Sequence, residues 1–223
     1  LKVNSSDLLA LNNLGLIFIK KKNYKKAKLY LLKAIKILKH PKTFFLLGHI
    51  YTEINNYKKA IKCYKESIQL DNNEESLCNL GNLLYITGNL KESEKYTNLA
   101  LKKNSNLAAA YNNLGLINLA YGENKKAKEN FLKTIKIDPR NVKAHYNLTS
   151  LINYKKGNSH IKQLFELLNS SNNINEKIYI YFSLGKVFHD TQDYKQAFEY
   201  YKKGNSIKRK NFNYSIKNDF KFF

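Results

Sequence analysis

Apolar residues along this chain recur at spacings of three and four, and the pattern restarts about every 34 residues. In the first stretch Leu11, Leu14, Gly15 and Phe18 form one stripe, and Tyr24, Ala27, Leu31 and Ala34 form a second. The i, i+3, i+4, i+7 spacing predicts two amphipathic helices, with small residues where their backbones cross. The next stretch repeats this with Phe44, Leu47, Gly48 and Tyr51, then Tyr57, Ala60, Tyr64 and Ser67. A third has Leu77, Leu80, Gly81 and Leu84, then Leu90, Ser93, Thr97 and Ala100. A fourth has Tyr111, Leu114, Gly115 and Asn118, then Ala127, Phe131 and Thr134. The Leu-Gly pair marks the beat. Its steps are 33, 33 and 34 residues from Gly15 to Gly115, and it returns at Leu184-Gly185.

Turn-prone pairs fall between the two helices of each copy: Lys22-Asn23, Asn55-Asn56, Gly88-Asn89, Glu123-Asn124 and Gln192-Asp193. Gly and Asn accept the positive φ that ends a helix. A period near 34 with this content predicts helix-turn-helix units, each burying its apolar face only against its neighbours. The expected fold is therefore all-α, a right-handed superhelical solenoid of about six repeats. These lie near 8–40, 41–73, 74–107, 108–141, 142–175 and 178–210. The fifth repeat is degenerate: Thr149 stands for the glycine, the turn falls near Gly157-Asn158, and a short second helix is expected from His160 to Leu168. A polar break follows at 169–175. This repeat should be the weak point, with amide exchange faster across 155–176 than across the third and fourth repeats. Residues 211–223 should begin a capping or linking helix, whose Phe220, Phe222 and Phe223 would pack onto a following domain.

The repeated set of Leu-Gly, a large apolar or aromatic residue and Ala resembles the tetratricopeptide repeat family over most of residues 8–210. The family's closing proline is kept only at Pro139. The resemblance implies a concave face lined by the first helices, which holds extended peptides. The last repeat resembles the end of the array in a subgroup where a sulfotransferase domain follows. The residues carrying that likeness are Phe182, Leu184, Gly185, Lys186, Asp190, Tyr194, Ala197, Phe198, Tyr201, Gly204, Asn205, Lys208 and Arg209. It implies that this chain is the amino-terminal arm of a larger protein, whose catalytic domain would lie after Phe223.

One polar pattern keeps time with the repeats. Asn13, Asn79, Asn113 and Asn147 each precede the leucine of the Leu-Gly or Leu-Thr pair, while Leu46 and Ser183 break the series. Equivalent places in stacked repeats map to a stripe. An amide can pair with a peptide's C=O and N–H whatever its side chains. The resemblance adds that an asparagine at this place holds peptide backbone in the arrays of the O-linked N-acetylglucosamine transferases. Structural bonding between repeats is the competing reading. The same helix face adds Asn12, His49, Asn82, Tyr85, Asn112, Leu116, Tyr146, Asn153, Lys186 and His189 as groove residues. The basic clamp of chaperone adaptors is represented only by scattered residues such as Lys42 and Lys143.

The formal charge of +22 changes this picture little. Only Arg140 and Arg209 are arginines, and sequence readers of nucleic acid lean on bidentate arginine. The lysines fall off the apolar stripes of the second helices, so specific nucleic-acid recognition is not expected and salt-sensitive attraction to polyanions is. Cys63 and Cys78 fit two reduced thiols in a reducing compartment. No Walker, dinucleotide-binding or nucleophile-elbow motif is present, and the five histidines lack metal-site spacing. The reading is thus a non-catalytic module without metal or cofactor, binding protein or extended peptide. It is expected to be monomeric, cytoplasmic and without a membrane span. A stand-alone scaffold is the alternative, and a basic polyanion binder comes third.

Overall fold

The structure is a computed structural model that describes residues 5–211, and those residues form twelve α-helices with no strand. They are α1 (Ser5–Lys20), α2 (Tyr24–Ile37), α3 (Pro41–Glu53), α4 (Tyr57–Leu70), α5 (Glu74–Ile86) and α6 (Leu90–Lys103), followed by α7 (Ala108–Ala120), α8 (Asn124–Ile137), α9 (Val142–Thr149), α10 (Ser159–Ser170), α11 (Ile174–Asp190) and α12 (Tyr194–Asn211). They group into two compact units, one up to Gly122 and one from Glu123. The expectation for 211–223, with its three phenylalanines, concerns side chains outside the described residues.

Each hairpin turns on a residue of positive φ followed by a capping residue. Lys22, Asn55, Gly88, Gly122, Gly157 and Gln192 hold the left-handed position. Asn23 and Asn56 then accept from the backbone N–H of Lys26 and Lys59 at 3.1 and 3.2 Å. Such caps are typically worth about 1 kcal/mol each. The fourth repeat shifts by one residue from the expected pair, with Gly122 in the turn and Glu123 at the cap position. Asn73, Asn141, Asn158 and Asn173 cap four further helices. Six asparagines in all thus cap helix starts through their side chains.

Inside four of the hairpins the glycine meets the residue sixteen places on. A Cβ on Gly15 would lie 2.6 Å from Leu31, on Gly48 2.7 Å from Tyr64, on Gly81 2.4 Å from Thr97, and on Gly185 2.6 Å from Tyr201. In the third repeat the contact includes a hydrogen bond, Ser93 Oγ donating to Gly81 O at 2.7 Å. Behind it lies a continuous apolar layer in the first unit. Ala27 and Leu31 of α2 pack with Leu46, Leu47 and Ile50 of α3, and Ala60 and Tyr64 of α4 pack with Leu80, Leu83 and Leu84 of α5. Each large side chain fully buried this way contributes about 1.5–3 kcal/mol.

The second unit is built around Val142, Tyr154, Leu164, Leu167, Ile180, Leu184 and Val187. Here the degenerate repeat is packed, but unlike the others. Its second helix, α10, runs 12 residues, and the short element is the first helix, α9, with 8. Thr149 closes α9 by donating its hydroxyl to His145 O at 2.7 Å. The chain then leaves the helix and returns through a loop that buries Tyr154 to 3% exposure.

The glycine contact predicts an asymmetric pair of alanine variants. Gly48→Ala should destabilise the protein by about 1–3 kcal/mol, since Tyr64 is only 2% exposed and cannot move aside. Gly204→Ala, whose Cβ would meet Phe182 at an ordinary 3.4 Å, should be neutral or stabilising by up to about 1 kcal/mol. Urea unfolding of the two variants checks this.

Candidate functional site

The first helices of the first unit share a groove of about 610 Å³. Its rows follow from repeat equivalence. Lys42, Glu75 and Ala109 occupy one matching place on α3, α5 and α7, and Phe45, Cys78 and Asn112 the next. Leu46, Asn79 and Asn113 form the third row, and His49, Asn82 and Leu116 the fourth. Phe45, Leu46, Cys78 and Leu107 give the groove an apolar floor, while His40, Asp71 and Glu75 join Lys42 as polar and charged lining. Its mouth is set by helix starts: Pro41 opens α3, with the ring of His40 accepting from Lys42 N–H at 3.2 Å.

A side chain from the other layer fixes the groove's spacing. Ser67 of α4 donates to Pro41 O at 2.9 Å and lies 2.9 Å from Ser76 Oγ. Because a carbonyl only accepts, the Ser67 proton goes to Pro41, and Ser76 supplies the proton of the second bond. The ends of α3 and α5 are thereby tied through a buried hydroxyl pair.

The expected asparagine stripe divides in this setting. Asn79 is half-buried and lines the groove. Asn82 and Tyr85 lie half-buried further along α5, and Asn13 is exposed on α1. Asn113 departs from the stripe. It is buried to 6% exposure, and its amide donates to Cys78 O at 3.1 Å. Asn12, at 2%, likewise turns inward and accepts from Thr43 Oγ1 at 2.9 Å. Both amides bridge neighbouring first helices, which is the structural role weighed against ligand binding. Asn112 and His49 are half-buried, and Asn112 Oδ1 and His49 Nδ1 are closed off from solvent with no protein partner.

In the second unit Tyr146 and Lys186 border a smaller hollow of about 330 Å³ with Phe182, Tyr201 and Lys208, and Asn147 is half-buried on α9. Lys186 is not a free groove cation. Its ammonium pairs with Asp190 and donates to Ile152 O at 2.9 Å, while Asp190 also accepts from Tyr154 N–H at 3.1 Å. Burial raises the Asp190 pKa, but the bonds from Lys186 and Tyr154 outweigh it and hold the carboxyl below its ordinary value. The lysine staples the loop after α9 to α11. Sequence spacing gave it a face but could not show a partner 34 residues away.

The densest cluster of titratable groups lies in the degenerate repeat. His145 Nε2 is 3.0 Å from Pro139 O, His145 Nδ1 is 2.7 Å from His160 Nε2, and His160 Nδ1 is 2.6 Å from Tyr154 OH. Proton positions follow from the carbonyl, which can only accept. His145 carries its proton on Nε2, so its Nδ1 accepts from His160 Nε2–H, and His160 Nδ1 accepts from Tyr154 O–H. All three groups are neutral and every bond runs in one direction. Burial lowers the pKa of both imidazoles, that of His160 to about 4 with His145 beside it adding to the shift, and burial pushes the Tyr154 phenol up to about 12. With donors and acceptors spent on one another, the cluster is a buried polar clasp. Burial also lifts the thiols of Cys63 and Cys78 to about 11 and 12, so neither is a ready nucleophile. Among the described residues no group of three or more His, Cys, Asp or Glu is placed to hold a metal ion.

These features are those of a helical-repeat scaffold. Tetratricopeptide repeat profiles match residues 8–37, 48–88, 74–106, 108–141 and 178–211. Together they cover more than half of the chain, which therefore belongs to the tetratricopeptide repeat family. No curated protein sequence matches it at a significant level. Solved structures share the fold at low identity. PilF of Pseudomonas aeruginosa is 19% identical over 88% of this chain and 89% of its own, with a TM-score of 0.72. A tetratricopeptide repeat protein from Parabacteroides merdae is 19% identical over 90% of this chain and 78% of its own, at 0.67. YrrB, described as a TPR protein with an unusual peptide-binding site, is 18% identical over 88% and 92%, at 0.56.

The histidine clasp predicts an acid-sensitive fold. Both imidazoles have folded pKa values below the ordinary 6.5, so the unfolded chain binds more protons on acidification. Their contribution to stability is complete above pH 6.5 and is lost as the pH falls toward about 4. The melting midpoint of the wild type should drop across that window. His145→Gln/His160→Gln, though less stable at neutral pH, should show a much flatter profile. Equal slopes for the two proteins would contradict the assignment.

Proposed function

We propose that the first unit captures an extended peptide, laid across α3, α5 and α7 in the 610 Å³ groove. The observation that carries this reading is the groove's composition, an apolar floor beside the amide of Asn79. Apolar side chains of the peptide would enter between Phe45, Leu46 and Leu107, and its backbone would bond to Asn79 and Asn82. Asn112 belongs to the same helix face, next to the groove-lining Ala109 on α7. His49 joins the same face. Asn13 is a secondary contact of this unit, Tyr146 and Asn147 lie on a separate candidate face of the second unit, and Asn113 and Lys186 support the scaffold. The peptide-binding site in YrrB's description supports the same use of the fold. The chain acts as a monomer, and its two free cysteines suit a reducing cytoplasm.

We further read the module as the recruiting arm of a sulfotransferase-type protein, on the likeness carried by Phe182, Leu184, Gly185, Lys186, Asp190 and the matching residues of α12. The second reading is a stand-alone scaffold with the same groove.

Two experiments test these readings. Peptides selected from a displayed library on the wild type should bind Asn79→Ala/Asn82→Ala about 5- to 150-fold more weakly, two hydrogen bonds being worth about 0.5–1.5 kcal/mol each, with helicity unchanged. Undiminished affinity would move the site elsewhere. For the arm, the coding sequence beyond residue 223 should show a strand running into a Gly/Ser/Thr-rich phosphate-binding loop and a helix; any other continuation, or none, leaves the scaffold.

A further inference from the structure

The second helices of the first unit carry most of its positive charge. α2, α4 and α6 hold thirteen lysines against three glutamates, while α1, α3, α5 and α7 hold two lysines against four carboxylates. The lysines are in register. On α2, Lys25, Leu29, Leu32 and Lys36 follow the i, i+4, i+7, i+11 spacing of one straight stripe. It lies opposite the buried stripe of Ala27, Leu31 and Ala34. The equivalent stripe is Lys58, Lys62, Lys65 and Gln69 on α4, and Lys91, Lys95, Asn98 and Lys102 on α6. All twelve positions are exposed and none is acidic. None of the eight lysines has an ion-pair partner among the described residues.

We propose that this face docks onto an anionic lipid surface. Charge complementarity requires a polyanion, and the other two side chains on the α2 stripe decide which kind. Leu29 and Leu32 are 53% and 43% exposed between Lys25 and Lys36. An aliphatic side chain gains nothing against phosphates in water, but it gains free energy when it enters the boundary between headgroups and acyl chains. A nucleic acid would reward arginine forks and stacking aromatics, and these stripes have neither. The lysines recur at equivalent exposed places on three successive second helices, which suits a diffuse planar charge. No described helix is long and apolar enough to cross a membrane, so this is contact at the interface.

Sedimentation of the whole chain with vesicles of phosphatidylcholine, with and without phosphatidylglycerol, tests the proposal. The wild type should sediment only with the anionic vesicles. Lys58→Glu/Lys62→Glu/Lys65→Glu should lose about 100-fold or more in partitioning, since each lysine near such a surface counts for about fivefold. Leu29→Asn/Leu32→Asn should bind several-fold more weakly and become more salt-sensitive. All five substitutions are at exposed sites, and circular dichroism verifies the fold. Sedimentation of the triple variant like the wild type, or of the wild type with neither vesicle, overturns docking. Unchanged binding by the leucine variant overturns the lipid assignment, and tighter binding of duplex RNA in that case assigns the face to nucleic acid.

Discussion

The seating of a second-helix side chain on a first-helix glycine, seen in four of the hairpins, governs much of this molecule. Where Gly15, Gly48, Gly81 or Gly185 sits, the second helix presses a side chain onto the first helix itself, within 2.4 to 2.7 Å of where a Cβ would be. Absence of one methyl group sets the depth of the hairpin, and depth sets which stripe of each helix faces a neighbour. Pressing residues as different as Leu31, Tyr64 and Thr97 serve because the invariant requirement is on the glycine side. With the angular position of these helices set, the first helices of the first unit line the groove and the exposed rows of the second helices lie opposite their buried stripes.

The degenerate repeat shows what replaces that contact when it is lost. With Thr149 in place of glycine, the two helices cannot close in the same way, and α9 stops after 8 residues. The space is taken by the loop carrying Tyr154, which joins the imidazoles of His145 and His160 in a one-way chain of hydrogen bonds ending on Pro139 O. Steric intimacy is exchanged for a polar network. Such a network specifies geometry well, but it is sensitive to the protonation state of its members.

Periodic features were legible from sequence because each repeat states them again. Helix faces, turn residues and most caps could be read this way, and the groove rows follow from aligned positions. What was not legible depends on a single partner in another repeat. The pattern gives Asn79 and Asn113 the same place, yet Asn113 turns to the carbonyl of Cys78, and nothing in the local spacing distinguishes them. Lys186 is bound to a loop whose path depends on the early end of α9. The shortness of the fifth repeat was visible, but which helix is short depends on the buried seat of Tyr154, a tertiary fact. Lys42 and His40 carry no periodic mark of a groove position, and they line the groove because they start a helix whose neighbours bring it into register.

The segregation of lysines has a geometric consequence. Glu75, Asn79 and Asn82 lie on α5 opposite the residues that pack against α6, and Lys25 and Lys36 lie on α2 opposite the residues that pack against α1. The first unit is therefore a two-sided slab with a charge moment directed across its thickness, from the groove toward the second helices. In the field of a negative surface such a body turns before it touches. It would arrive with its lysines down and its groove open to the solution, so that whatever the groove holds is displayed rather than trapped.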